Sequence, residues 1–305
     1  MVDLSEDKIN MKITEPVNKK DFFFLIFCGL AFLMAYAPIK ALYFSSSHRE
    51  YYSHIILIPL ISIYLIYQKR TSIFSTQKYS CTLGIPLLLI GVMLYFGGQS
   101  IRLQLNQNDF TSVIALSAIV LLNGAFIFFY GTQAFKAAIF PLLFLIFMIP
   151  VPTYLMDRII YFLQVGSTEF ANLLFIASGV PFLRDGFVFQ LLGQSVEVAK
   201  QCSGIRSGLA LLITAILAGH LFLTNWWKKI ILFICVIPIA MFKNGIRIVT
   251  LTLLGTYVDP RILGSSLHRE GGIPFFVLAL GLMMPVLYFL RKSDKKNPGF
   301  PLARE

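Results

Sequence analysis

The chain has 305 residues, of which 57% are hydrophobic and only 13% charged, and it carries a net charge of +11. Soluble domains run nearer to about 25% charged, so these charges cannot cover a water-exposed surface of this size, and an ordinary soluble protein is excluded. The positive excess acts as a topology signal in such a chain. No basic patch interleaved with aromatics lies outside the apolar runs, so no nucleic-acid partner is implied.

Residues 1–21 are polar and of mixed charge and read as a cytoplasmic tail. The first apolar run is Phe22–Ile39. It contains Ala35-Tyr36-Ala37, which looks like a signal-peptidase site, but the acidic residues upstream do not suit a signal peptide, so a retained span is expected. Further runs follow at Tyr52–Tyr67, Thr82–Phe96, Phe110–Tyr130 and Ala137–Pro150. Several fall short of the roughly 20 residues that cross hydrocarbon, and tilt and flanking aromatics extend them.

The segment 151–201 is the longest outside these runs. Tyr154 to Ser178 mixes apolar residues with Asp157, Arg158, Gln164 and Glu169, as an amphipathic helix at the membrane interface does. Gly186–Leu192 and Ser195–Lys200, around Gly193-Gln194, read as a β-hairpin built on Phe187, Val188, Phe189, Val196 and Val198. The remaining runs are Gly204–Leu223, Ile230–Phe242 and Ile273–Leu290. Ile248–Val258 is shorter and suits a half-helix or an interfacial helix. Residues 291–305 form a basic tail.

The basic residues select a topology. Lys19-Lys20, Lys69-Arg70, Lys78, Lys136, Lys228-Lys229, Arg291-Lys292 and Lys295-Lys296 share the cytoplasmic side if Ile248–Val258 does not cross. The expected fold is an all-α polytopic membrane protein with about eight transmembrane helices, a short half-helix and a small extracytoplasmic β-hairpin. Both termini are then cytoplasmic, and residues 22–290 form one membrane domain.

Of the four cysteines, Cys28 and Cys235 lie inside apolar runs and Cys81 at the edge of one. There is no CxxC pair, so no zinc or redox site is indicated. Cys202 differs, because it lies in the polar stretch Lys200-Gln201-Cys202-Ser203-Gly204-Ile205-Arg206-Ser207. Two other polar clusters are Lys243-Asn244-Gly245-Ile246-Arg247 and Leu267-His268-Arg269-Glu270-Gly271-Gly272. The charge rule places all three at the outer surface, although none of them was used to apply it. Hydrolase, metalloprotease and nucleotide-binding motifs are absent. No Asp or Glu lies within a proposed span, which counts against a proton-coupled pump.

The three clusters carry coherent chemistry. A thiol attacks as its thiolate, which a helix N-terminus or a nearby cation favours. Cys202 is expected to begin a helix, with Arg206 one turn on along the same face. His268 can take the thiol proton and later protonate a leaving amine. Arg247 can hold an oxyanion or the substrate backbone with its planar fork of donors. Singly, each has a bland alternative: a small filler cysteine, a snorkelling arginine, a solvated histidine. His54 has no firm role, and His220 lies near the cytoplasmic end of its span, away from this set.

The chain resembles the exosortase/archaeosortase family of polytopic transpeptidases. Cys202-Ser203-Gly204-Ile205-Arg206-Ser207 is similar to the family's cysteine motif, Asn244-Gly245-Ile246-Arg247 to its arginine motif and His268 to its histidine. Ser53-His54 and Met148-Ile149-Pro150-Val151-Pro152 are also similar to family features. The resemblance covers about residues 22–290. Gln201 departs from it, since the family commonly has a small residue before the cysteine, and this bears on pocket shape.

The resemblance implies a membrane cysteine transpeptidase with Cys202 as nucleophile, His268 as general acid/base and Arg247 as clamp, Asn244 and Arg206 assisting at the substrate. No metal or organic cofactor is implied. The implied partners are exported proteins bearing a C-terminal signature, a hydrophobic span and a basic tail, together with membrane lipid. The competing expectations are a transporter or lipid flippase, with polar residues lining a path through the midplane, and a non-catalytic subunit of an exopolysaccharide or protein export system, in which Cys202 is dispensable.

Overall fold

In hydrocarbon every backbone polar group must be satisfied within the chain, and helices accordingly dominate the computed structural model of the protein. It describes residues 19–44, 55–75, 79–191, 193–259, 261 and 272–293. The chain forms two compact units, residues 1–152 and 153–305. Seven helices among the described residues are long and apolar enough to cross a membrane, and residues 57–68 and 139–148 form shorter apolar helices. The all-α polytopic expectation holds.

The first unit contains α1 (Lys19–Phe44), α2 (Leu57–Gln68), α3 (Arg70–Ile73), α4 (Cys81–Ser100), α5 (Gln107–Ala137) and α6 (Ile139–Phe144). Helices α4 and α5 approach closely because Gly84, Gly91 and Gly98 recur every seventh residue on the face of α4 that meets α5. A Cβ on Gly84 would lie 2.8 Å from Phe128, one on Gly91 2.6 Å from Leu121, and one on Gly98 2.8 Å from Val113. Small residues that let backbones meet are the usual glue where lipid removes the hydrophobic drive. Asn106 caps α5 by accepting from the Asp109 N–H at 2.8 Å. Phe32, Leu33, Met93 and Phe96, on α1 and α4, are all more than half exposed, as side chains facing lipid are.

The short run Ala137–Pro150 covers most of the length of α5 in spite of its few residues. After α6 the chain continues as a 3₁₀ helix, Leu145–Met148, and then as extended backbone. Ser112 Oγ donates to the Pro150 carbonyl at 2.7 Å and Asn108 Nδ2 to the Val151 carbonyl at 2.8 Å. The segment therefore runs back from the C-terminal end of α5 to its N-terminal end. From Ser112 to the kink at Gly131 is about 28 Å of helix, close to the hydrocarbon thickness of roughly 30 Å. The longer rise of 3₁₀ and extended backbone lets the short run cover most of that length.

The second unit contains α7 (Thr153–Ser178), strands β1 (Leu183–Asp185), β2 (Val188–Leu191) and β3 (Gln194–Glu197), then α8 (Ile205–Phe222), α9 (Trp226–Tyr257) and α10 (Gly272–Lys292). The expected hairpin is present and gains a third strand. The sheet order is β1-β2-β3, all antiparallel, with Leu191 opposite Gln194 across a turn in which Gly193 has φ 82°. Arg184 on β1 forms a bidentate pair with Glu169 on α7, at 2.6 and 3.1 Å.

Two features differ from expectation. The half-helix at Ile248–Val258 is the C-terminal part of one continuous 32-residue helix, α9. Asn244-Gly245, which reads as a break, is helical because Gly245 serves packing. A Cβ there would lie 2.8 Å from Phe170 Cβ and 3.0 Å from the Ala171 nitrogen of α7. Second, α7 is long and apolar enough to cross a membrane on length and composition. Its neighbours set it beside the C-terminal half of α9: Gly166 meets Met241, Phe170 stacks edge-on with Phe242, and Phe175 packs against Phe189 of the sheet. A second core holds α8, α9 and α10 together through Leu211, Ala215, Leu232, Val236, Ala279 and Met283.

Candidate active site

The Cys202 stretch is a turn with defined closures. Lys200–Cys202 is a 3₁₀ turn, in which the Cys202 N–H donates to the Ala199 carbonyl at 2.8 Å and the Ser203 N–H to the Lys200 carbonyl at 3.2 Å. Gly204 then takes φ +77° and caps α8, which begins at Ile205. Cys202 therefore precedes the helix by a turn and is not in its first turn. Its continuity with Arg206 is broken at Gly204, and Arg206 is exposed on α8.

This turn is clamped to α9. Asn244 Nδ2 donates to the Cys202 carbonyl at 2.8 Å. Lys243 donates from its Nζ to Ser207 Oγ, and Ser207 Oγ donates to the Gly204 carbonyl at 3.1 Å. Consecutive residues of α9 thus fix both ends of Cys202-Ser203-Gly204, one directly and one through Ser207. Asn244 is fully buried and Lys243 is 1% exposed. A lysine buried this deeply in an apolar helix is costly and usually marks function. Ser203 Oγ, Asn244 Oδ1 and Thr252 Oγ1 are buried and have no hydrogen-bond partner among the described residues.

Gly204 is the residue this clamp cannot change. Its φ is one that L side chains avoid, and a Cβ would lie 2.8 Å from Asn244 Cγ. Gly204→Ala is expected to lower stability by at least about 1–2 kcal/mol from backbone strain alone and to displace Asn244 from the Cys202 carbonyl. Gly208→Ala, one turn on, is the matched control, since its Cβ would meet Leu163 at 3.8 Å and Ala240 at 4.0 Å. Thermal unfolding of both variants in detergent, with a much lower midpoint for Gly204→Ala only, checks this.

Cys202 opens onto a cavity of about 30 Å³. One wall is Val196, Glu197 and Val198, from β3 and the residue after it. The other is Arg247, Ile248, Leu251 and Thr252, a single face of α9. Cys202 is half-buried. Burial opposes ionisation of its thiol, and the positive charge of Arg247 favours it. The structure thus brings together Cys202, Arg247 and Asn244 of the residues expected from the sequence. His268 and His54 lie outside the described residues. The residue pattern alone assigns no role to Lys243, Ser207, Thr252 or the β3 wall. Thr252 becomes legible once α9 is continuous, because it then follows Leu251, which lies one turn beyond Arg247, along the wall of the cavity.

The arrangement offers a thiol, a fixed cation and buried polar groups around one small cavity, which is the equipment of acyl transfer. A family model described as transmembrane exosortase matches residues 45–285. None of the curated proteins and none of the solved structures matches the chain.

Proposed function

The chain belongs to the transmembrane exosortase family, and from that membership we propose that it is a cysteine transpeptidase that removes C-terminal sorting tails from exported proteins at the outer face of the cell membrane. The observation that carries this reading is the shared cavity of Cys202 and Arg247, with the Cys202 turn fastened by Asn244 to the helix that bears Arg247.

The Cys202 thiolate attacks the carbonyl carbon of the scissile peptide bond. The carbonyl oxygen takes the negative charge, and the Arg247 fork holds it. Collapse breaks the C–N bond, the tail amine leaves with a proton from His268, and a thioester joins Cys202 to the shortened protein. A second nucleophile then attacks the thioester, gives its proton to His268 and releases the thiolate. Lys243 and Asn244 hold the nucleophile's turn. Arg206, exposed at the mouth of α8, is assigned to the substrate.

The distribution of charge in residues 153–305 supports the outer location. Lys228 Nζ donates to the Leu290 carbonyl at 3.3 Å, and Arg291 sits over the Phe222 ring. The basic ends of α8, α9 and α10 therefore gather at one place. From Lys228 to Arg247 along α9 is about 28 Å, roughly one hydrocarbon thickness. If the basic end is cytoplasmic, the cavity is at the opposite surface.

The test is capture of the thioester. Hydroxylamine added to native membranes is expected to release tail-bearing proteins with a C-terminal hydroxamate at the residue before the cleaved bond, found by mass spectrometry. A transporter or a passive export subunit makes no such product. Cleavage that proceeds without any hydroxamate would remove the covalent step through Cys202.

A further inference from the structure

The wall of the cavity opposite α9 is a strand, and its chemistry points to how a substrate is held. Consecutive residues of a strand point to opposite faces. Val196, Glu197 and Val198 are consecutive, yet all line the cavity. A cavity that touches all of them abuts the edge of the strand and not one of its faces.

That edge has free backbone groups. The Val198 N–H donates to the Phe187 carbonyl at 2.9 Å, and Val196 lies opposite Phe189. Hydrogen-bonded pairs alternate along an antiparallel ladder, so Gln194 and Val196 turn their backbone groups, and Val198 its N–H, towards β2, while the Val198 carbonyl accepts from Gln164 Nε2 of α7. Ser195 and Glu197 turn theirs away. The Glu197 carbonyl accepts from the Ala199 N–H at 3.0 Å. This leaves the Glu197 N–H and both backbone groups of Ser195 without a partner among the described residues. Both residues are exposed, and β3 is the last strand in the sheet order β1-β2-β3.

We propose that β3 is the docking strand for the substrate: the segment on the amino side of the scissile bond adds to its free edge as a fourth, extended strand and so brings the scissile carbonyl to Cys202. This rests on the transpeptidase reading above. Strand addition supplies affinity through main-chain hydrogen bonds and leaves alternate side chains to be read by the walls, here the α9 face at Ile248 and Leu251. The amino-side segment is the occupant because it must stay in place while the tail departs and the acceptor enters. An unpaired strand edge is a ready template for an extended chain. Glu197 thereby acts through its main chain.

The experiment uses the full chain in native membranes and a tail-bearing protein whose cleavage site has been located by mass spectrometry. Glu197→Pro deletes the outward N–H and leaves the bonds to β2 intact. Glu197→Ala keeps the N–H and measures the side chain's own share. Processing is expected to fall roughly tenfold further in the Pro variant than in the Ala variant, the cost of a lost bond and a stranded acceptor. Equal processing by the two overturns the proposal.

A cross-linking experiment decides if the Pro variant does not accumulate. Glu197→Cys is combined with Cys202→Ala, and a single cysteine is walked through the substrate residues before the scissile bond. Disulfides at alternate positions are expected, and uniform cross-linking or none overturns the proposal. Cys202→Ala alone separates the two ideas: loss of processing there beside equal Pro and Ala variants at Glu197 removes strand addition and leaves the transpeptidase standing.

Discussion

Cys202→Ala is expected to accumulate in the membrane at the wild-type level and to leave tail-bearing proteins uncleaved. The substitution removes one half-buried sulfur at the edge of a small cavity. The clamp on this residue runs through its backbone: Asn244 holds the Cys202 carbonyl and the Cys202 N–H closes on Ala199. Both bonds survive in alanine. The stability cost is therefore about 1 kcal/mol or less. The cost to chemistry is of another order, since loss of a nucleophile that acts as a unit with its partners removes on the order of a millionfold in rate. Membrane abundance by immunoblot, set beside the C-termini of mature substrates by mass spectrometry, checks both halves. Continued processing by this variant would mean that another group does the chemistry, and the passive-subunit reading would return.

Arg247→Lys is expected to fail almost as badly as Arg247→Ala, by roughly 100- to 1,000-fold in turnover, the usual cost of a lost oxyanion donor. Arg247 faces the cavity from α9 with Ile248, Leu251 and Thr252, and its charge acts on the Cys202 thiol. A lysine keeps the charge but replaces a planar fork with a flexible point donor. The position also stands one helical turn beyond Lys243, so like charges already face each other there. In variants that accumulate in the membrane at the wild-type level, a fall in activity reports on the site. Single-turnover cleavage in membranes at saturating enzyme separates turnover from binding. Near-normal turnover in the Lys variant would reduce Arg247 to a local positive charge.

Much of this was legible in the residues. The apolar runs announce spans because hydrocarbon admits only chains that satisfy their own backbone, and a run of suitable length leaves few alternatives. The short run at Ala137–Pro150 illustrates the limit. Its residues are apolar enough, but only the bonds from Ser112 and Asn108 show that it returns along α5. The polar stretches at Cys202 and Asn244–Arg247 also stand out unaided, because polar clusters at the ends of apolar runs are costly unless they are used. The family resemblance through these motifs agrees with the family model.

What the sequence by itself determined about this protein is therefore its medium, its all-helical class, its small β element and the residue types available for chemistry. These follow from local composition and periodicity. Only the tertiary structure decided which of those residues meet. Gly245 reads as a breaker and is instead a contact that admits α7, so α9 continues and carries Arg247 and Thr252 on the face that Cys202 opens onto. Arg206 reads as a neighbour of Cys202, and the left-handed turn at Gly204 breaks that continuity. Lys243 stands in the sequence only as one member of a polar cluster, and packing buries it against Ser207. Each of these is fixed by packing between residues far apart in the chain and is not written in the spacing of neighbours.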